Sequence, residues 1–300
     1  MGDIVNPKQV YRYKQLVKDS ELLTRRYECL KKAVIGYSVQ GRELIALKLG
    51  SGKRKIMLNG AHHAREWLTT ALLMNMVEDY CERYENEKNV KILLQDVSIW
   101  FVPMVNPDGV TLVQDGVEQF EESDLLIQMN NGSEVFDGWK ANIRGVDLNR
   151  QYPIDWENID DQIQKPAPAM FKGPKPLSEP EAKSLYDFAL KHKFSFVACY
   201  HSSGEEIFWQ YKLSGKEYVY AKGFADQLST ITGYRLVDPG PDPSGGGFTD
   251  WFIMVQKRPA FTIEIAPYVG PVPVPLKHYN KIWTENKEVG MILARACLYN

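Results

Sequence analysis

Asn59-Gly60-Ala61-His62-His63-Ala64-Arg65-Glu66-Trp67 decides how the rest of the chain is read. The apolar run Ile56-Met57-Leu58 before it reads as a short buried strand, and Leu68-Thr69-Thr70-Ala71-Leu72-Leu73-Met74 after it reads as a helix. His63 and Glu66 therefore stand where a strand ends and a helix begins. In an open α/β sheet that is the crevice in which ligands bind. An imidazole and a carboxylate three residues apart can turn toward one point and offer a divalent cation a nitrogen and an oxygen, a donor set that suits zinc. The same spacing also occurs at ordinary helix starts, so the remaining segments must supply the other donors.

The chain is long enough for that. Its 300 residues are 44% hydrophobic and 25% charged, which allows a large core. Thirty-six basic against thirty-eight acidic residues leave a net charge of −2 and no electrostatic footprint for nucleic acid or an anionic membrane surface. Cys29, Cys81, Cys199 and Cys297 lie far apart, with no pair at metal-ligand spacing, and read as reduced, mostly buried thiols. No basic segment followed by an apolar one marks the N-terminus, and no run is long enough to span a bilayer, so a cytoplasmic address is expected.

Outward from the opening stretch, helical pattern covers 7–26. A hairpin is expected from Leu30–Tyr37 and Glu43–Leu49, and a helix from Trp67 to Tyr84. Val97–Val102 is apolar on both faces, as in a covered sheet. Pro103-Met104-Val105-Asn106-Pro107-Asp108-Gly109 reads as a fixed turn rather than a helix, and 111–138 as an acidic loop with one short helix. Ser178 with Glu181 has the form of a capping box for a helix to Lys193. Phe194–Tyr200 is a buried strand delivering His201, Lys216–Thr232 a helix, and 238–247 an irregular Gly/Pro loop. Phe248–Phe252 starts a short helix, Ala260–Ile263 is a strand ending at Glu264, and Leu276–Leu298 is the closing helix. Strands alternating with long helices, with no break in composition, predict one α/β domain over 1–300: a twisted, mostly parallel sheet between helical layers.

Three expected strands end in His63 with Glu66, in His201, and in Glu264. Three protein ligands and one open position make a catalytic zinc site, which His63, Glu66 and His201 can form. Glu264 is then the candidate base for the metal's water. Arg65, Lys140, Arg144 and Arg150 are cations available to a developing oxyanion. The guanidinium fork of Arg150 beside Asn149 reads as a carboxylate clamp. His62 and His192 read as structural, and Trp209 and Tyr211 as core.

These residues resemble the zinc carboxypeptidases of the carboxypeptidase A type. His63-Ala64-Arg65-Glu66-Trp67, Pro103–Gly109, Gly145-Val146-Asp147-Leu148-Asn149-Arg150, His201-Ser202 and Thr262-Ile263-Glu264 match that family's signatures in order, across roughly residues 7–298. The resemblance implies one zinc per chain on His63, Glu66 and His201, Glu264 as general base, and Asn149 with Arg150 holding a terminal carboxylate. It also implies a mixed eight-stranded sheet. Two positions depart from the family. The arginine that polarises the carbonyl is matched in ungapped register by Lys140, with Arg144 nearer the Asn-Arg pair and preferred here. The family's mobile tyrosine falls on Asp242.

Residues 139–149, Gly204-Glu205-Glu206-Ile207-Phe208-Trp209 and Ile263-Glu264-Ile265-Ala266-Pro267-Tyr268 further resemble the bacterial branch that cleaves γ-D-glutamyl-diaminopimelate bonds of peptidoglycan peptides. A murein-peptide substrate is the implication, with Arg150 facing its carboxylate and Asp242 or Glu205 its ammonium. Thr249 is a further substrate-binding candidate. The alternatives are a conventional carboxypeptidase and, more remotely, a non-catalytic peptide-binding protein on the same fold.

Overall fold

The computed structural model describes residues 2–160, 162–240 and 243–299. In chain order it contains α1 (Tyr13–Arg26), β1 (Leu30–Tyr37), β2 (Glu43–Leu49), β3 (Arg54–Gly60), α2 (Leu68–Asn86), α3 (Lys88–Asp96), β4 (Val97–Val102), α4 (Pro107–Asp115) and α5 (Ser123–Met129). There follow α6 (Pro180–His192), β5 (Phe196–Ser202), β6 (Glu206–Phe208), α7 (Gly215–Thr232), β7 (Arg235–Val237), α8 (Phe248–Gln256), β8 (Ala260–Ile265), α9 (Tyr279–Asn286) and α10 (Val289–Ala296).

The strands make one mixed sheet in the order β1-β2-β4-β3-β5-β8-β6-β7. The central run β4-β3-β5-β8 is parallel, and β1, β2 and β6 bring in the antiparallel pairings. Side chains alternate between two cores. Ile56, Leu58, Ala198, Tyr200 and Ile263 face the layer that includes α1, α2, α7 and α10. Met57, Val102, Val197 and Cys199 face α6 and α8. Burial on both faces explains why β3, β4 and β5 read as apolar runs without alternation. The crossover from β3 leads to β4 on one side, while β5 continues to β8 on the other. The gap between β3 and β5 is thus the topological switch point, where open α/β sheets bind ligands.

Several local expectations change. Helix α1 starts at Tyr13, because Ile4 and Val5 donate their N–H groups to the Glu78 carboxylate at 2.9 and 2.8 Å and hold the first residues on α2. The expected turn at 103–109 contains the start of α4. Asn106 caps it by accepting from the Gly109 N–H at 3.0 Å, and Pro107 occupies the first helical position, where its missing N–H costs nothing. Two α-helices, α4 and α5, occupy the stretch taken for a loop.

The capping box at Ser178 does not form. Helix α6 begins at Pro180, Ser178 Oγ is bonded to Gln151 and Glu179, and Glu181 accepts instead from the Val39 N–H at 3.2 Å. The closing helix is broken into α9 and α10. Helix α3 and the three-residue strands β6 and β7 are additions to the expected elements. His201 and Glu264 lie inside β5 and β8, each one residue before its strand ends. All four cysteines are free thiols, with Cys29 half-buried and the rest buried. Among the described residues no helix is long and apolar enough to cross a membrane.

Candidate metal centre and active site

Beyond β3 the chain turns sharply at Ala61, whose φ of +51° is the left-handed conformation. The loop that follows is held from three directions. Asn106 donates its side-chain amide to the carbonyls of His62 and Ala141 at 3.1 and 3.0 Å. The N–H groups of Ala64 and Arg65 bond to the carbonyls of Lys140 and Trp139. Thr69 Oγ1 accepts from the Ala61 N–H and donates to the Glu66 carbonyl. The Asn106 motif is thereby explained: a buried amide ties the β3 loop to the 139–141 segment.

Three donors converge there. His63 Nδ1 lies 2.9 Å from Glu66 Oε1, His201 Nδ1 lies 2.9 Å from Glu66 Oε2, and the two Nδ1 atoms are 3.1 Å apart. All three side chains are buried, and their ligand atoms lie within 4.8 Å of one another. His63 Nε2 is 3.2 Å from Asp147 Oδ1. An ionised carboxylate only accepts, so Asp147 suits a hydrogen on Nε2, and with a cation at the shared point Nδ1 would present its lone pair to it. Two imidazole nitrogens and a carboxylate in a buried pocket fit zinc.

The electrostatics are those of a tightly charged pocket. Burial pushes the Glu66 carboxyl up, but His63 and His201 together outweigh it and hold it well below the usual range. Burial likewise opposes ionisation of Asp147, and Lys140 and His63 overcome it. Lys140 Nζ is 2.9 Å from Asp147 Oδ2. Glu264 is paired in register with His201 on the neighbouring strand. Burial first, then repulsion from Glu66, raises its carboxyl to about 8, close to where proton transfer at neutral pH is most effective. A cleft of about 280 Å³ opens over these groups, walled among others by Lys140, Glu206, Glu264 and Tyr268.

Other expected site residues are placed differently. Arg65 lines the cleft, with Nη1 on the Gly138 carbonyl at 3.1 Å. Arg144 does not: its guanidinium lies 3.7 Å from Glu179 and borders a separate groove, whereas Lys140 lines the cleft. Asn149 Oδ1 accepts from the Phe248 N–H at 3.0 Å, which sets the Asn-Arg pair at the start of α8. Arg150 bonds back to the Asn149 carbonyl, and its buried Nε has no hydrogen-bond partner among the described residues. The Thr249 hydroxyl is spent on Thr262 at 2.8 Å, inside the core.

Glu205 is bound to Lys281 and does not reach the cleft wall, whereas its neighbour Glu206 does. Asp242 lies outside the described residues. His62 is buried, stacks on His201 at 5.6 Å and meets the Tyr152 hydroxyl at 3.1 Å, a supporting role. Trp209 and Tyr211 are core. Sequence reading missed Asp147 and Glu206. Asp147 was visible only as a conspicuous acid before Leu148-Asn149-Arg150, and no local signal marks its partner 84 residues away.

A mixed α/β sheet with a His–Glu–His cluster at its switch point, and a carboxylate in register beside it, defines a zinc-dependent hydrolase site. The chain belongs to the zinc carboxypeptidase family, whose profile matches residues 20–288. It is 33% identical over 298 residues to gamma-D-glutamyl-L-diamino acid endopeptidase 1 of Lysinibacillus sphaericus, covering 97% of this chain and 73% of that protein. It is 28% identical over 264 residues to carboxypeptidase B of Rattus norvegicus, covering 82% of this chain and 60% of that one. Among solved structures, thrombin activatable fibrinolysis inhibitor superposes with a TM-score of 0.77 at 21% identity, over 98% of this chain and 76% of that one, a likeness of fold.

Proposed function

We propose that the protein is a zinc peptidase that hydrolyses γ-D-glutamyl-diaminopimelate bonds of peptidoglycan peptides. The observation that carries the chemistry is the convergence of His63, Glu66 and His201 with Glu264 in register beside them. The substrate reading is supported by similarity over 97% of the chain to an endopeptidase named for that bond.

His63, Glu66 and His201 would hold the ion, which when bound supplies Lewis acidity toward water and the peptide carbonyl. Asp147 keeps the His63 ring in one tautomer and orientation. Glu264 takes the proton from the attacking water and returns it to the leaving amine nitrogen. Lys140 faces the cleft, where its ammonium stabilises negative charge growing on the carbonyl oxygen. Asn149 and Arg150 receive the free carboxylate of the leaving half, an assignment supported by the buried Arg150 Nε, which has no hydrogen-bond partner among the described residues.

The test is product analysis of L-Ala-γ-D-Glu-meso-diaminopimelate incubated with zinc-loaded protein. Release of diaminopimelate is expected. No release, with removal of ordinary C-terminal amino acids from α-linked peptides, would establish the second reading, a conventional carboxypeptidase. That reading draws on the Asn149-Arg150 pair and the likeness to carboxypeptidase B.

A further inference from the structure

We propose that Glu206 receives the free amino-terminal ammonium of the substrate's acyl half, so that the enzyme selects unacylated murein peptides over N-acylated ones. This rests on the γ-D-glutamyl-diaminopimelate reading. The cleft is walled by Arg65 and Lys140 as cations and by Glu206, besides Glu66 and Glu264, as an acid. Asn149 and Arg150 are absent from that wall and sit instead against α8. With the leaving half's carboxylate on Arg150, the part of the substrate on the amino side of the cleaved bond lies in the cleft.

In L-Ala-γ-D-Glu that part carries two charges. The γ-linkage leaves the α-carboxylate of D-Glu free, and the alanine contributes an ammonium. Arg65 and Lys140 match the carboxylate, and Glu206 matches the ammonium.

The placement of Glu206 argues for a cationic ligand. It stands directly opposite Glu264 in the antiparallel β6–β8 register. Its side chain borders the cleft, so its carboxylate is open to a ligand there. Arg235, its register partner on β7, forms an ion pair with it from the outside. That arginine side chain is 69% exposed, while Glu206 is 26% exposed, and an ion pair so open to water is weak and leaves the carboxylate able to accept a second cation. A substrate ammonium between Glu206 and the cleft would make a charge-assisted hydrogen bond. Glu205 cannot substitute for it, because it does not line the cleft.

The experiment compares kcat/KM for L-Ala-γ-D-Glu-meso-diaminopimelate with that for its N-acetyl-alanyl counterpart, on the zinc-loaded wild type, on Glu206→Gln and on Arg235→Gln. Wild type is expected to prefer the free amine about tenfold or more, the range of a hydrogen bond to a charged group. In Glu206→Gln the two values converge, and in Arg235→Gln, which leaves Glu206 less neutralised, the preference grows. Equal cleavage of both peptides by wild type overturns the proposal while leaving the function intact. So does a Glu206→Gln defect of equal size on both, or one that follows acylation of diaminopimelate's distal amine. Release of diaminopimelate from neither peptide overturns the functional reading and this proposal with it.

Discussion

His63 shows how much of the site depends on one proton. Its Nε2 lies 3.2 Å from Asp147, which would hold the Nε2–H tautomer and leave the Nδ1 lone pair to a bound cation, and Asp147 is in turn held by Lys140 and by the Asn149 N–H at 3.0 Å. Replacing Asp147 with Asn removes the charge and keeps the size. Zinc affinity measured in metal-buffered solution should then fall roughly 10- to 100-fold, and an unchanged affinity would show that the carboxylate does not orient the ring. Glu264 makes the opposite test, since it would hold no metal. Glu264→Gln should bind zinc as the wild type does by metal analysis, yet lose about 10²- to 10⁴-fold in kcat, the usual worth of a positioned acid–base group. Substantial residual turnover would mean that the proton is taken elsewhere. Both residues are ordinary carboxylates in the sequence, and their different roles come from what surrounds them.

At the scale of elements, the β3 loop is fixed less by itself than by α4 and the 139–141 segment that clamp it. The same economy appears at α6. Its first turn sends Glu181 away from its own helix to the Val39 N–H in the β1–β2 turn, and Asn142 donates to the same carboxyl at 3.3 Å. Burial above all, then the neighbouring Asp108 and Glu179 carboxylates, raises Glu181 from the ordinary 4.5 to about 7. The folded chain therefore keeps a proton that the unfolded chain has released between those values. The associated stability is complete below pH 4.5, declines as pH rises, and is gone above pH 7. Denaturation midpoints should fall over that window and fall less in Glu181→Gln, the difference amounting to something on the order of 3 kcal/mol. Parallel pH profiles for the two proteins would refute the assignment.

For the whole molecule, the centre joins β3, its following loop and β5, which are neighbours in the sheet but far apart in the chain. An ion held there binds only the folded state, so it stabilises by mass action, roughly 2.7 kcal/mol at a free concentration one hundred times Kd. Chelation should lower the melting temperature by several degrees, and zinc should restore it. A melting temperature indifferent to both would separate the cluster from metal binding.

The apolar runs of β3, β4, β5 and β8 were legible in the sequence because strands buried on both faces have no alternation to lose. The candidate ligands and base were legible because each stands near or just beyond the end of such a run. Asn149-Arg150 could be read as a pair, but its seat against α8 could not. The edges were illegible for the converse reason. Strands β6 and β7 are three residues long and leave no period to detect. Pro107 and Asn106 carry a turn signal that serves equally as a helix start.

What the sequence determined by itself is therefore the alternating α/β order and the chemical identity of the centre, since strand burial and donor type are local properties. Only the tertiary structure decided that Lys140 rather than Arg144 lines the cleft, that Asp147 meets His63, and that Glu206 rather than Glu205 lines the same cleft. Those choices turn on which way a side chain leaves its backbone and what meets it across the sheet. Neither is encoded within a few residues of the position itself.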